Sequence, residues 1–231
     1  GAPSVPGRRH HDRPSLMAGS LIHLAPTPGS MLEGEHEVFG SEHPMREVTR
    51  EIAFGGEWTA EMRVRVAGLF DDLADQWDGM RTADRYDTLD DALDRGDVGD
   101  GRCVELGSGT GLGTARLAPR FGSVVAVDLS AGMLRHAPPE LAHRVHGDSS
   151  ELPVRSGAVD VLVLVNMLLF PSEVDRVLGA DGALVWVNSY AEETPIHLPA
   201  DDVVAALPGD WIGTASRSGS GTWCVLRRAR P

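Results

Sequence analysis

The sequence contains no lysine: all 21 of its basic residues are arginine, against 34 acidic ones, for a formal net charge of −13. A polyanionic partner is met by a basic face, so this balance argues against nucleic acid. Long apolar runs are missing too. Nothing approaches the roughly 18 consecutive apolar residues that a membrane helix needs, and no membrane partner is expected. Cysteine is confined to Cys103 and Cys224, each inside an apolar run. Two thiols so far apart make no disulfide framework and suit buried, reduced residues of a cytoplasmic protein. Arg8-Arg9 precedes no apolar segment, so no export signal is read. The histidines His10, His11, His23, His36 and His43, like His143 and His146 further on, lack ligand spacing and carboxylate support, and no metal is expected.

What is present suits one α/β unit with an appendage. Residues 1–56 are rich in Pro, Gly, Ser and His without a sustained period, and are expected to be a poorly ordered extension. Residues 57–98 are expected to be helices covering the site, and 99–231 its core. Met62, Val66, Leu69, Phe70, Leu73 and Trp77 recur at three and four residues behind Thr59, a good helix cap. A second helix is expected from about Ala83, with Tyr86, Leu89 and Leu93 on one side and Gly96 at its end. Asp71 to Asp100 holds eleven aspartates against Arg81, Arg85 and Arg95, which reads as solvated outer helix faces.

Beyond residue 100, strands and helices alternate. Cys103–Leu106, Ser123–Asp128, His143–His146, Val159–Asn166 and Ala183–Asn188 read as strands. Gly111–Ala118, Ser130–His136, Ser172–Leu178 and Pro199–Leu207 read as the helices between and after them. Such alternation implies right-handed crossovers and a parallel sheet. Trp211–Ser216 and Thr222–Arg228 are joined by too short a connection for a crossover, so they pair antiparallel. The fold class is thus α/β, a doubly wound, mostly parallel seven-stranded sheet closed by a C-terminal hairpin.

The organising stretch is Cys103 to Thr114, a short strand and then glycines at Gly107, Gly109, Gly111 and Gly113. Glycines let backbone turn tightly and bring bare N–H groups near a ligand. A dinucleotide fingerprint needs glycines at i, i+2 and i+5, and both frames fail, at Leu112 and at Thr114. NAD is disfavoured on that ground.

The segment Glu105-x-Gly107-x-Gly109-x-Gly111 resembles motif I of the class I S-adenosylmethionine-dependent methyltransferases. The likeness extends to Val124–Leu134 with Asp128 at its strand end, to Gly147–Pro153 with Asp148, and to Val159–Asn166 as the fourth strand. It implies a Rossmann-like fold and S-adenosylmethionine as cofactor, with S-adenosylhomocysteine as product. By this resemblance Glu105, Gly107, Ser108, Gly109 and Gly111 order the methionine end, and Asp128 accepts from the ribose hydroxyls. Leu129 and Met133 pack on the adenine, Asp148 and Ser149 meet its polar edge, and Asn166 at the end of the fourth strand is a further cofactor-binding candidate. From the residues alone, Asp128 also reads as a cap of the next helix, and Asp148 as a turn residue.

Methyl transfer from a sulfonium is an in-line displacement that proximity can drive, so a general base is optional and no catalytic residue is named. Trp77 and Tyr190 are candidates for the acceptor pocket, with core packing the alternative for Trp77. Glu192 and His197 follow Tyr190 on a polar loop. No proline pair follows Asn166, unlike in amino-methylating nucleic-acid enzymes, which points to a small-molecule acceptor. An NAD-dependent oxidoreductase and a non-catalytic cofactor-binding regulator are the other readings. Oligomeric state has no signal in the sequence.

Overall fold

The computed structural model describes residues 19–28, 43–80 and 83–230. Its centre is an eight-stranded sheet made of β1 (Leu21–His23), β2 (Arg102–Leu106), β3 (Ser123–Asp128), β4 (His143–His146), β5 (Val159–Val165), β6 (Leu178–Asn188), β7 (Trp211–Ser218) and β8 (Gly221–Arg228), in the order β1-β7-β8-β6-β5-β2-β3-β4. The seven expected strands are all present. Only β8 runs antiparallel to its neighbours, pairing Val185 with Val225 on one side and Thr214 with Val225 on the other. β6 starts earlier than expected, at Leu178, which pairs with Val159 across a register irregularity.

The sheet is covered on both faces because its central strands have apolar residues at odd and even positions alike. Leu162 and Leu164 of β5 join Val104, Leu106, Leu184 and Trp186 in one buried cluster. Val161 and Val163 join Cys103, Val124, Val185 and Leu89 in the other. Cys103 and Cys224 are both buried and unbridged, and burial holds both thiols in the protonated form.

Poor order was expected throughout residues 1–56, and the described part of that stretch corrects it. Residues 1–18 and 29–42, with His10, His11 and His36, lie outside the described residues. β1 adds parallel to β7, which would otherwise be an open edge with unpaired backbone groups. Arg95 fixes the segment that follows, donating to the Ala25 carbonyl (2.8 Å). Helix α1 (Met45–Ala53) buries Thr49, Ile52 and Ala53, and Ile52 packs with Leu168 and Phe170.

Two further helices follow. Helix α2 (Ala60–Leu73) starts at Thr59, whose side chain accepts from the Met62 N–H as predicted, but it stops at Leu73 and breaks into short 3₁₀ turns through Tyr86. Helix α3 (Asp87–Arg95) ends at Gly96, again as predicted. In the core, α4 is only Thr114–Leu117, because Gly111, with φ +87°, still belongs to the loop. Helix α5 spans Ala131–His136, α6 Pro171–Val177 and α7 Ala200–Ala206.

The aspartates of 71–100 are not merely solvated. Asp90 pairs with Arg116 and Asp94 with Arg120, Asp78 accepts from the Thr110 hydroxyl, and Asp91 accepts from the Trp223 indole. They tie the helical segment to the sheet domain, where arginine is the only strong cation on offer.

Candidate functional site

The chain leaves β2 first towards β3 and β4, then returns to β5 on its other side. The carboxyl end of β2 is therefore the switch point of the sheet, where open α/β folds hold their ligands. The glycine loop stands there. Gly107, Gly109 and Gly111 all have positive φ (+69°, +56° and +87°), a conformation that favours glycine.

The bare N–H donors expected of this loop are already used. Gly107 and Ser108 donate to the Val127 carbonyl (2.9 and 3.1 Å), Gly111 to the Ser108 carbonyl (3.0 Å), and Gly109 to Oδ2 of Asp128 (2.7 Å). What the glycines provide is clearance. A Cβ on Gly109 would enter the space before the Trp77 indole nitrogen, 3.8 Å away, and one on Gly107 would strike the Met167 sulfur. The Ser108 hydroxyl is buried within this loop without a hydrogen-bond partner.

Two acids brace the loop. Glu105 lies beneath it, accepting from the Thr114 hydroxyl (2.5 Å), and Gly113 sits so close that a Cβ there would overlap Oε1. Burial pushes the Glu105 carboxyl up to about 8, with nearby Asp128 adding to the effect and the Thr114 bond opposing it. Asp128 is buried at the end of β3, accepting from the Ser130 N–H (2.8 Å) as well as from Gly109. It thus joins the loop to the start of α5, while a carboxylate's roughly four lone-pair positions leave two for a ligand. Burial raises its pKa, and the two amide bonds oppose that rise.

Asp148, just after β4, has partners that the sequence did not suggest. The Trp58 indole donates to both carboxylate oxygens (3.2 Å each), Arg63 of α2 lies at 3.3 Å, and the Ser150 N–H donates at 2.8 Å. Trp58 also packs on Phe170, ring centroids 5.7 Å apart. Ser149 and Met133 are buried nearby in sequence to the two acids, and Leu129 is half-buried with its carbonyl 3.0 Å from Nε2 of His146. Asp71 of α2 accepts from the Ser130 hydroxyl and the Gly132 N–H (2.6 Å each), so α2 grips the element that Asp128 starts.

Asn166 leaves β5 with φ +49° and spends its amide on Ser189, accepting from its N–H (2.9 Å) and donating to its hydroxyl (3.0 Å). It joins the loops after β5 and β6. Trp77 is half-buried, edge-on to Phe70 at 5.5 Å, and so serves packing and faces the glycine loop at once. The Arg85 guanidinium lies 5.9 Å from the Trp77 ring and 5.9 Å from the Tyr190 ring. Glu192 is held by Arg217 (2.6 Å), on the exposed side. His197 is half-buried, and burial together with Arg46 depresses its pKa. No cluster of three metal-ligating side chains occurs among the described residues. Nor is any described helix long and apolar enough to cross a membrane.

Residues 104–185 match the family described as a methyltransferase domain. Over that span the chain is similar to methyltransferase domains. Over 110 residues it is 37% identical to a demethylmenaquinone methyltransferase of Beutenbergia cavernae, covering 43% of this chain and 44% of that protein. Over 113 residues it is 36% identical to the biotin biosynthesis bifunctional protein BioHC of Cellvibrio japonicus, covering 45% of this chain and 22% of the other. The matches thus span less than half the length of these curated relatives. Among solved structures, the DhpI–SAH complex superposes with a TM-score of 0.60 at 18% identity, over 75% of this chain and all (100%) of the other. The DhpI–SAM–HEP complex does so with 0.57 at 18% identity, over 76% and 100%. These two carry the methyltransferase fold beyond the matched domain, into the N-terminal helices or the C-terminal hairpin.

Proposed function

We propose that this protein is an S-adenosylmethionine-dependent methyltransferase acting on a small-molecule acceptor, with residues 57–98 covering its site. The observation that carries the reading is the convergence at one sheet edge of the glycine loop, Asp128 and Asp148, each braced from the helical segment. The cradle fits the cofactor: Gly109 leaves open space before Trp77, the Ser108 hydroxyl is buried without a partner, and Asp128 keeps two lone-pair positions. When bound, S-adenosylmethionine supplies a methyl group already activated on a sulfonium sulfur.

The chain's own residues then have defined tasks. Asp128 accepts from the ribose hydroxyls, Asp148 from the adenine amino group, and Trp58 and Arg63 hold Asp148 in place. Trp77 and Tyr190 wall the acceptor side, where excluding water and fixing the line of attack carry most of the rate. The acidic net charge favours a small acceptor over a polyanionic polymer.

Titration calorimetry with S-adenosylhomocysteine tests the first half. Asp128→Ala should weaken binding by about 1.5–3 kcal/mol, the worth of hydrogen bonds to a charged group, and an unchanged affinity would remove the ribose from Asp128. For the second half, a metabolite extract incubated with deuterated-methyl cofactor should yield a labelled small molecule by mass spectrometry.

A further inference from the structure

Two arginines carry buried guanidinium nitrogens without a hydrogen-bond partner among the described residues. Arg85 is only 8% exposed, and its guanidinium carbon lies 5.9 Å from the centroid of the Trp77 ring and 5.9 Å from that of Tyr190. Its Nε is buried without a hydrogen-bond partner, and no carboxylate pairs with it among the described residues. Arg46, half-buried on α1, has both Nε and Nη2 buried and unpartnered, and it acts electrostatically on His197. Tyr190 and His197 belong to one segment, the loop that follows β6. Elsewhere in this acidic chain arginines find aspartates readily, as Arg95, Arg102, Arg116 and Arg228 do.

A buried charge left unpaired is expensive, and buried polar groups without partners mark places completed by something else. A guanidinium held near aromatic rings can still offer its in-plane N–H edge to a ligand, and that edge matches a carboxylate or phosphate bidentately. We infer that Arg85, assisted by Arg46 near His197, receives an anionic group of the methyl acceptor, a carboxylate or a phosphate. The inference rests on the methyltransferase reading above and names the substrate class for it. The competing source of the same chemistry is the α-carboxylate of the cofactor itself. Arg85 lies equally near Trp77, which faces the glycine loop, and Tyr190 on the loop after β6, so the two sources are separated by experiment.

The test uses the full chain saturated with S-adenosylhomocysteine and titrated with benzoate and, separately, inorganic phosphate. Wild type should bind at least one of them, and Arg85→Gln at least about tenfold more weakly, a loss of about 1.4 kcal/mol. Arg85→Lys should fall between. Binding of S-adenosylhomocysteine with no uptake of either anion overturns the inference and leaves the methyltransferase reading intact. Failure to bind S-adenosylhomocysteine brings down both. If Arg85→Gln loses affinity for S-adenosylhomocysteine but keeps it for 5′-methylthioadenosine, which lacks the carboxylate, the anion is the cofactor's and the acceptor assignment is overturned. In the labelled-methyl assay, acceptor activity should reside in the fraction of the extract retained by an anion exchanger; activity in the unretained fraction overturns it. Because Arg85 lacks a partner, Arg85→Gln should melt no lower than wild type, and a fall of more than about 5 °C would mark Arg85 as structural instead.

Discussion

Helices α2 and α3 belong to the same helical segment and are held by different means. In α3, Leu89 and Ala92 are fully buried, Leu93 nearly so, and Thr88 donates to the Ser218 carbonyl, so the helix is part of the core beneath β8. In α2 no residue is buried; Val64 is 74% and Leu69 55% exposed, although Leu69 belongs to the predicted apolar stripe. Beyond the packing of Met62 on the small Ile52–Leu168–Phe170 cluster and of Phe70 on Trp77, helix α2 is held by polar contacts, Asp71 to Ser130 and Gly132, and Arg63 to Asp148. Every one of those polar contacts lands on a residue of the candidate site or on its flank. The scaffold is thus held by apolar burial and the cover mainly by hydrogen bonds, so the cover can respond to a ligand without disturbing the core.

The sharpest way to break this contrast is Leu89→Ala. It should lower stability by about 2–5 kcal/mol through lost burial and a cavity, read by urea unfolding, while the folded fraction keeps its affinity for S-adenosylhomocysteine. A small loss would mean that α3, too, is only a surface cover.

Next in size is a pH effect beneath the loop. Between the ordinary glutamate value of about 4.3 and about 8, folded Glu105 keeps a proton that the unfolded chain has lost. Stability should therefore fall as pH rises through that window, by up to about 1.4 kcal/mol per unit at its steepest. Glu105→Gln should flatten the pH 5 to 8 profile in thermal melts, and an unchanged slope would place the titration elsewhere.

The cover should yield to smaller changes. Asp71→Ala removes the bonds to Ser130 and Gly132 and should cost about 1 kcal/mol, the usual worth of a helix cap. Its larger signature is a loosened α2, seen as faster amide exchange over 60–73 with α3 unchanged. The hydrogen bonds from Ser130 and Gly132 hold the Asp71 carboxyl below the usual aspartate range. That support is complete above the ordinary value of about 3.9 and fades as pH falls through the lower folded value, so acid should release α2 before α3. A variant of the opposite kind is Gly132→Ala. Its Cβ would lie 2.9 Å from the Asp71 backbone, so α2 must move while α5 gains a better helix former.

Much of this architecture was legible because it is periodic or local. Val161 to Leu164 announce a strand buried on both faces, Thr59 and Gly96 mark helix ends, and the short link before Thr222 forces an antiparallel pair. The acids Glu105 and Asp128 are read from the ends of apolar runs, and Asp148 from the likeness of Gly147–Pro153 to the family's motif. What stayed hidden pairs residues far apart in the chain. Trp58 reaches Asp148 and Arg95 reaches Ala25, and no local spacing encodes either contact. Strand β1 is three residues long and exists because β7 offers an edge, which its own composition does not tell. The loop's N–H groups read as free because glycine spacing reveals backbone freedom and says nothing of which carbonyl fills it. Arg85 hid in a charge run, where its lack of a partner appears only once its neighbours are known.

The smallest expected effect sharpens the contrast from the α3 side. Asp94 pairs with Arg120 at 2.6 Å, but the aspartate side chain is 60% and the arginine 36% exposed. Exposed pairs contribute about 0.2–1 kcal/mol because water screens them and ordering two side chains offsets the attraction. Asp94→Asn should therefore shift the urea midpoint barely, and raised salt should erase the difference. Asp71→Asn tests a carboxylate of the same stretch whose donors are a hydroxyl and a backbone amide at a helix start. It should lose affinity for S-adenosylhomocysteine along with the acid-sensitive release of α2. If the two variants behaved alike, the aspartates of 71–100 would form one undifferentiated charged surface. A divergence would mean that the segment divides at the turns after Leu73 into a part that holds the fold and a part that holds the site.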